Sequence, residues 1–175
     1  MTVFRNSQNF MTANALNAAA NSGLSGPLSE AIERAASGSG DAGLKRQAMV
    51  ALLGNNLAAA RSNAEKALLT DKDGLACVHL LSETMDDSIR ALFNAAIKYL
   101  YRADNPSTSE RLSIVAVGGY GRGTLAPGSD IDLLFLLPTK VTPWSESIVE
   151  VILYTLWDLK LKVGHSVRTV DECIK

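Results

Sequence analysis

The order of apolar and polar positions predicts helices in the first part of the chain and strands in the last part. Over 44–69 and 75–100, apolar side chains recur at the spacing of an amphipathic helix, and Asp73 is placed to cap the second helix. Three short stretches, at 112–117, 130–137 and 163–169, are predicted to be strands, and the first of them is β-branched and nearly all apolar, which is typical of a buried strand. A helix capped by Thr142 is predicted between the last two.

Residues 1–41 are rich in Asn, Ser, Ala and Gly, a composition that indicates a poorly ordered segment with short helical turns around 28–35. The chain is therefore divided into this segment, a helical region at 42–105 and a sheet-containing core at 106–175. The resulting fold class is α+β, with N-terminal helices followed by a mixed β-sheet.

Charge and composition narrow the classes of function. The net charge is −1 and no run of Lys or Arg occurs, so the sequence predicts no nucleic-acid partner. No apolar run approaches the roughly 20 residues of a membrane helix, and the N-terminus lacks the pattern of a signal peptide. Cys77 and Cys173 lie far apart, without metal-ligand spacing. These observations favour a cytoplasmic protein with no membrane partner.

Two acidic side chains at the start of the second predicted strand carry the candidate chemistry. Asp130 and Asp132 are separated by one residue, so strand geometry predicts that both point to one face, roughly 7 Å apart. Adjacent carboxylates repel each other unless a cation lies between them, and hard oxygen ligands select Mg²⁺ or Mn²⁺. We expect Asp130 and Asp132 to be metal ligands and catalytic residues.

A diglycine precedes these acids by ten residues. Gly118 and Gly119 end the first predicted strand, and glycine lets backbone N–H groups approach a phosphate closely. Alternatively, Gly118 and Gly119 only form a turn and bind no ligand. The segment contains neither a Walker A motif nor a GxGxxG motif. Together, the diglycine and the acids predict a site for a nucleoside triphosphate with a divalent ion.

Two further polar residues of this segment are candidates for nucleotide binding. Ser129 donates either to a phosphate oxygen or to the local turn, and both interpretations stay open. Arg122 either stabilises triphosphate charge or forms a salt bridge with a nearby acid.

The pattern of a diglycine, ten residues and Asp-apolar-Asp resembles the DNA polymerase β-like nucleotidyltransferase superfamily. Over 118–134, the string Gly-Gly-Tyr-Gly-Arg-Gly-x-Leu-Ala-Pro-x-Ser-Asp-Ile-Asp-Leu-Leu is similar to bacterial PII uridylyltransferase/uridylyl-removing enzymes. The later segment 163–169, with His165 and Arg168, also resembles that family, which makes both residues candidates to line the site.

The resemblance implies a Mg²⁺-dependent transfer of a uridylyl group from UTP to a tyrosine of the PII nitrogen-regulatory protein. It also implies that the 106–175 core is a nucleotidyltransferase core incomplete at its C-terminal end, because neither the HD domain nor the ACT domains of the family are found. A third carboxylate, common in the superfamily, is missing from 163–169, and Asp171 lies just beyond it. The alternatives are a non-catalytic fragment that retains a nucleotide-binding fold, and an adenylyltransferase acting on glutamine synthetase.

Overall fold

The structure is a computed structural model that describes residues 3–5, 26–103 and 107–174. Its strands form a four-stranded mixed sheet in the order β1 (Val3–Arg5), β2 (Ser113–Ala116), β3 (Ile131–Leu137) and β4 (Val163–Thr169). Neighbouring strands are antiparallel except for β3 and β4, which are parallel. Helices and a mixed sheet confirm the predicted α+β class, and the three predicted strands are present.

The parallel pair β3–β4 is joined by a crossover helix, as parallel strands require. This helix, α5 (Pro143–Asp158), begins at the predicted cap: the Thr142 hydroxyl accepts the Ser145 N–H, and the Ser145 hydroxyl accepts the Thr142 N–H. A short helix, α6 (Val170–Ile174), follows β4. The crossover brings β4 alongside β3, and the site described below depends on that neighbourhood.

Two long helices match the helical region predicted from periodicity. They are α2 (Ala42–Asp71) and α3 (Gly74–Ala95), and α3 continues into a π-helical turn at Ala96–Leu100. The carboxylate of Asp73 accepts hydrogen bonds from two backbone amides of the first turn of α3, each 3.0 Å long, which confirms the predicted cap. Among the described residues, none of the helices combines the length and the apolar character needed to cross a bilayer.

The described parts of the segment 1–41 have regular secondary structure, and its helix lies where short helical turns were expected, around 28–35. Val3–Arg5 forms β1, paired with β2, and Pro27–Ser37 forms an 11-residue helix, α1. Ile32 and Ala36 lie one turn apart in α1 and are completely buried, so this helix is amphipathic. The composition of the segment does not indicate that pattern. The prediction of poor order at residues 6–25 concerns positions outside the described residues.

One apolar core runs across the predicted boundary at residue 105. It contains side chains from the three long helical segments before the boundary and from the sheet and α5 after it. Representative members are Ile32, Met49, Leu53, Ile89, Leu92, Phe93, Ile114, Leu133, Phe135, Ile148 and Ile152. The predicted helical region and the predicted sheet-containing core therefore share one apolar core.

Strand β3 divides its side chains between this core and the opposite face of the sheet. Ile131, Leu133, Phe135 and Leu137 are buried, and the residues that alternate with them are half-buried. Asp132 belongs to the second set. The apolar alternation of β3 therefore fixes the face on which this carboxylate lies.

Candidate functional site

The two acids occupy different positions relative to β3. Asp132 is the second residue of the strand and is half-buried, whereas Asp130 is exposed and immediately precedes the strand. The backbone N–H of Ile131, between them, donates to the carbonyl of Lys162 at 2.8 Å and starts the pairing with β4. Because Asp130 lies outside the regular strand, its orientation toward the face of Asp132 stays a prediction.

The first glycine of the diglycine lies directly against Asp132. The Val117 N–H donates to the Asp132 carbonyl at 3.0 Å, which extends the β2–β3 pairing up to the diglycine. Gly118 has a φ of +61°, and a Cβ there would lie 2.5 Å from Asp132 Oδ2. Only glycine fits both the backbone conformation and the space. The predicted neighbourhood of diglycine and strand aspartate is therefore present in the fold.

A second glycine, on β4, flanks Asp132 from the other side. Gly164 is the register partner of Asp132 in the parallel pair, and a Cβ at Gly164 would overlap Asp132 Oδ1. The carboxylate thus lies between two glycine backbones, that of Gly118, just after the end of β2, and that of Gly164 on β4. Sequence reasoning did not assign Gly164 to the site. The available signal was a glycine within a strand, which often marks the close approach of another group.

The segment between the diglycine and the turn before β3 folds back on itself. We call residues 118–125 the glycine loop; it begins with the short helix α4 (Gly118–Gly121). The Gly119 carbonyl accepts hydrogen bonds from the backbone N–H groups of Arg122 and Thr124 and from the Thr124 hydroxyl. At Gly121 a Cβ would collide with the Ala116 carbonyl, so this glycine permits close packing of the loop on β2.

Arg122 is exposed and extends over the start of the glycine loop. Its Nη2 lies 3.9 Å from the position of a Cβ on Gly119. Within the described ranges, no carboxylate lies within ion-pairing distance of Arg122, so the salt bridge considered above is not formed with any of those residues. Its place near the diglycine suits the predicted contact with a phosphate.

Ser129 lies at the end of the turn that leads into β3. Its backbone N–H donates to the Ala126 carbonyl at 3.1 Å, and its side chain is exposed. Gly128 in this turn has a φ of +79°, a conformation that favours glycine. The backbone of Ser129 thus closes the turn, and a role of its hydroxyl in nucleotide binding stays a prediction.

The two candidates on β4 lie on opposite faces of the sheet. His165 pairs in register with the buried Leu133, and its ring packs edge-on against Trp157 of α5 at 6.1 Å. Arg168 pairs in register with Leu136, on the face of Asp132, but four residues along the strand, or about 13 Å away. The structure therefore separates His165 from the face of Asp132 and places Arg168 on that face at a distance.

The two aspartates can form a divalent-metal site only in combination with further ligands. No group of three or more His, Cys, Asp or Glu side chains is placed to hold a metal anywhere in the described chain. Across the same residues, neither Asp130 nor Asp132 has a Lys, Arg or His nitrogen within ion-pairing distance. Mg²⁺ is commonly held by one or two carboxylates together with substrate phosphates and water, so this donor set fits Mg²⁺ bound with a nucleotide.

Comparison with known proteins identifies relatives of this segment. Residues 102–173 match the family described as nucleotidyltransferase domain. The chain is 56% identical over 130 residues to a bifunctional uridylyltransferase/uridylyl-removing enzyme from Rhodopseudomonas palustris, and 53% identical over 130 residues to one from Bradyrhizobium diazoefficiens. Each match covers 74% of this chain and 14% of the relative, so the chain spans a small part of their length. No solved structure matches the chain.

Proposed function

Because residues 102–173 belong to the nucleotidyltransferase domain family, we propose that this chain carries the nucleotide site of a Mg²⁺-dependent uridylyl transfer. The relatives named as uridylyltransferase/uridylyl-removing enzymes confirm the resemblance inferred from the sequence. The proposed donor is UTP, and the proposed acceptor is a tyrosine of the PII nitrogen-regulatory protein, with release of diphosphate. A reaction that consumes UTP also suits the expected cytoplasmic location.

The observation that carries the proposal is the carboxylate of Asp132 held between the backbones of Gly118 and Gly164. These two glycines restrict where the carboxylate lies without covering it with side chains. Asp130, one residue before the strand, supplies the second carboxylate. Asp130 and Asp132 would hold Mg²⁺ together with the triphosphate, and the bound ion would supply charge neutralisation on the phosphate oxygens.

The other residues of the site bind and orient the nucleotide in this proposal. The Arg122 guanidinium contacts the triphosphate charge near the diglycine, and the Ser129 hydroxyl donates to a phosphate oxygen. The acceptor tyrosine releases its phenolic proton to water, its oxygen forms a bond to the α-phosphorus, and the bond from that phosphorus to the leaving diphosphate breaks. Positioning these reactants is the main contribution that a phosphoryl-transfer site makes to the rate.

A second candidate function is nucleotide binding without transfer. It is favoured by the missing third carboxylate, since no described residue adds one beside Asp130 and Asp132.

The proposal is tested by incubating the 175-residue chain with labelled UTP, Mg²⁺ and purified PII protein. Transfer of label to PII that is lost in the double variant Asp130→Asn/Asp132→Asn supports the proposed reaction. UTP binding without transfer supports the second candidate. Use of ATP in place of UTP would instead indicate an adenylyltransferase, and the absence of binding to either nucleotide would overturn both candidates.

A further inference from the structure

Helix α3 contacts the glycine loop through a buried tyrosine. The Tyr120 side chain, in the middle of α4, is 2% exposed, and its hydroxyl donates to Oδ1 of Asp86 on α3 at 2.7 Å. Burial and the neighbouring Asp86 carboxylate raise the pKa of Tyr120 well above its ordinary value. At neutral pH the phenol is therefore protonated and donates this hydrogen bond.

The other end of the glycine loop is held by a buried serine of the same helix. The Ser82 hydroxyl donates to the Val78 carbonyl at 2.8 Å and accepts the backbone N–H of Leu125 at 2.9 Å. Ser82 and Asp86 lie four residues apart and share one face of α3. The two hydrogen bonds therefore attach Tyr120 and Leu125, near the two ends of the loop, to successive turns of one helix.

A third contact lies between these two attachments. The imidazole of His79 packs on Gly123, where a Cβ would be 3.7 Å from Nδ1, and Gly123 has a φ of +73°. His79, Ser82 and Asp86 recur at spacings of three and four residues, so all three project from the same face of α3 toward the loop.

The loop needs such an external support because its own structure is weak. Four glycines lie between residues 118 and 123, and glycine loses more conformational freedom on folding than any other residue. A four-residue helix is far too short to be stable by itself. Binding to an already ordered loop avoids the entropy cost of ordering it.

We propose that helix α3 fixes the glycine loop in its nucleotide-binding conformation through the Tyr120–Asp86 and Ser82–Leu125 hydrogen bonds. Tyr120, Asp86 and Ser82 are then positioning residues, which act on the nucleotide only through the loop backbone. This inference rests on the proposed function for its nucleotide part. Its structural part, the order of the loop, is measurable without any nucleotide.

The chain supplies a control variant for each loop variant: one matched in burial, Ser88→Ala, and one, at the 39% exposed Tyr99, that removes the same kind of hydrogen bond. Ser88 is buried on α3 like Ser82 and donates to the carbonyl four residues before it, at 2.8 Å, without any recorded contact to the loop. Both Ser82→Ala and Ser88→Ala therefore remove a buried hydroxyl and its bond within α3, but only Ser82→Ala also removes a hydrogen bond to the loop. Tyr99 donates its hydroxyl to a carboxylate of Glu33, away from the loop, so Tyr99→Phe is the control for Tyr120→Phe.

The experiment measures amide hydrogen exchange of residues 121–125 in the nucleotide-free protein and the affinity for Mg²⁺–UTP. Three of these five amides donate a hydrogen bond within the loop, that of Gly121 donates to the Val117 carbonyl just after β2, and that of Leu125 donates to Ser82 of α3. Ser82→Ala and Tyr120→Phe are expected to speed their exchange and to weaken UTP binding, each by about fivefold to tenfold, as loss of one hydrogen bond predicts. Asp86→Asn, which keeps an acceptor oxygen, is expected to retain most of the protection.

Equal effects in Ser82→Ala and Ser88→Ala, or in Tyr120→Phe and Tyr99→Phe, would overturn the inference, because they would reflect general loss of stability. Unchanged exchange of the loop amides in Ser82→Ala and Tyr120→Phe would overturn it too.

If wild-type protein binds no UTP, the proposed function fails, and the nucleotide part of this inference fails with it. Normal UTP binding by both loop variants would overturn this inference alone. If the chain transfers label, the variants should raise the KM for UTP.

Discussion

The helical layer and the strand–loop segment of this chain are held in place by different physical means. In α1, α2 and α3, large apolar side chains are buried against one another, as with Leu92, which is completely buried. In the segment 117–137, the decisive contacts are close approaches of glycine backbone to a carboxylate or a carbonyl. Substitutions in the first region should therefore change stability, and substitutions in the second should change the geometry of the site.

The largest effect on stability is expected from Leu92→Ala. Deleting a fully buried leucine side chain costs about 2 to 5 kcal/mol of unfolding free energy, measured by denaturant titration. Leu75→Ala in the same helix is the control, since Leu75 is 60% exposed, and its effect should stay within about 0.5 kcal/mol. If folded Leu92→Ala protein also binds UTP more weakly than wild type, the helical layer affects the site as well as stability, and the proposed difference between the regions is wrong.

Gly164→Ala should produce the largest effect on the site. The added methyl group displaces the Asp132 carboxylate, and a misplacement of about 1 Å lowers the rate or affinity by about a hundredfold. The control is Gly54→Ala within α2, where a Cβ would meet Leu159 at 3.4 Å. That variant should gain about 0.5 to 1 kcal/mol of stability and bind UTP normally. Normal UTP affinity in Gly164→Ala would show that the position of Asp132 is unimportant.

Asp73→Ala should have an intermediate effect, confined to the helical layer. The variant loses the two hydrogen bonds by which the carboxylate caps α3, which costs about 1 kcal/mol in a thermal or denaturant unfolding measurement. Asp71→Asn, at the exposed end of α2, serves as a control for removing a negative charge. A loss as large in Asp71→Asn would assign the effect to charge and not to capping.

The smallest effect is expected from Glu33→Gln. In the wild-type protein, the Glu33 carboxylate joins α1 to the π-helical turn. The hydrogen bond from Lys98 at 3.0 Å holds the pKa of Glu33 below its ordinary value of 4.5. Its stabilisation is therefore present above pH 4.5 and is lost as the pH falls through the lowered pKa. Glu33→Gln should cost at most about 1 kcal/mol at pH 7, and this difference should vanish in strong acid. A pH-independent loss would exclude the charge effect.

The regions also differ in how far the sequence predicted them. Periodicity identified α2, α3 and the Asp73 cap, because these depend on residues close together in the chain. For α1 the sequence indicated only short helical turns around 28–35, because short side chains weaken the apolar signal. The diglycine motif placed Gly118 beside Asp132, since Gly118 follows β2 closely and a short connection leads from it to β3, the neighbour of β2.

The remaining features of the site depend on contacts between distant parts of the chain. Gly164 meets Asp132 only because α5 carries the chain across to a parallel neighbour of β3. The bond from Tyr120 to Asp86 spans 34 residues and joins the glycine loop to a helix that is distant in the sequence. No local pattern specifies such pairs, so they become visible only when the strands and helices are assembled.

The most direct test of the account is a calorimetric titration of UTP into wild-type protein and Asp132→Asn, each with and without Mg²⁺. The account predicts that wild-type binding requires Mg²⁺ and that Asp132→Asn weakens Mg²⁺-dependent binding by at least about tenfold, whereas Asp71→Asn binds like wild type. Equal UTP affinity in Asp132→Asn and wild type, or binding that does not depend on Mg²⁺, would contradict it.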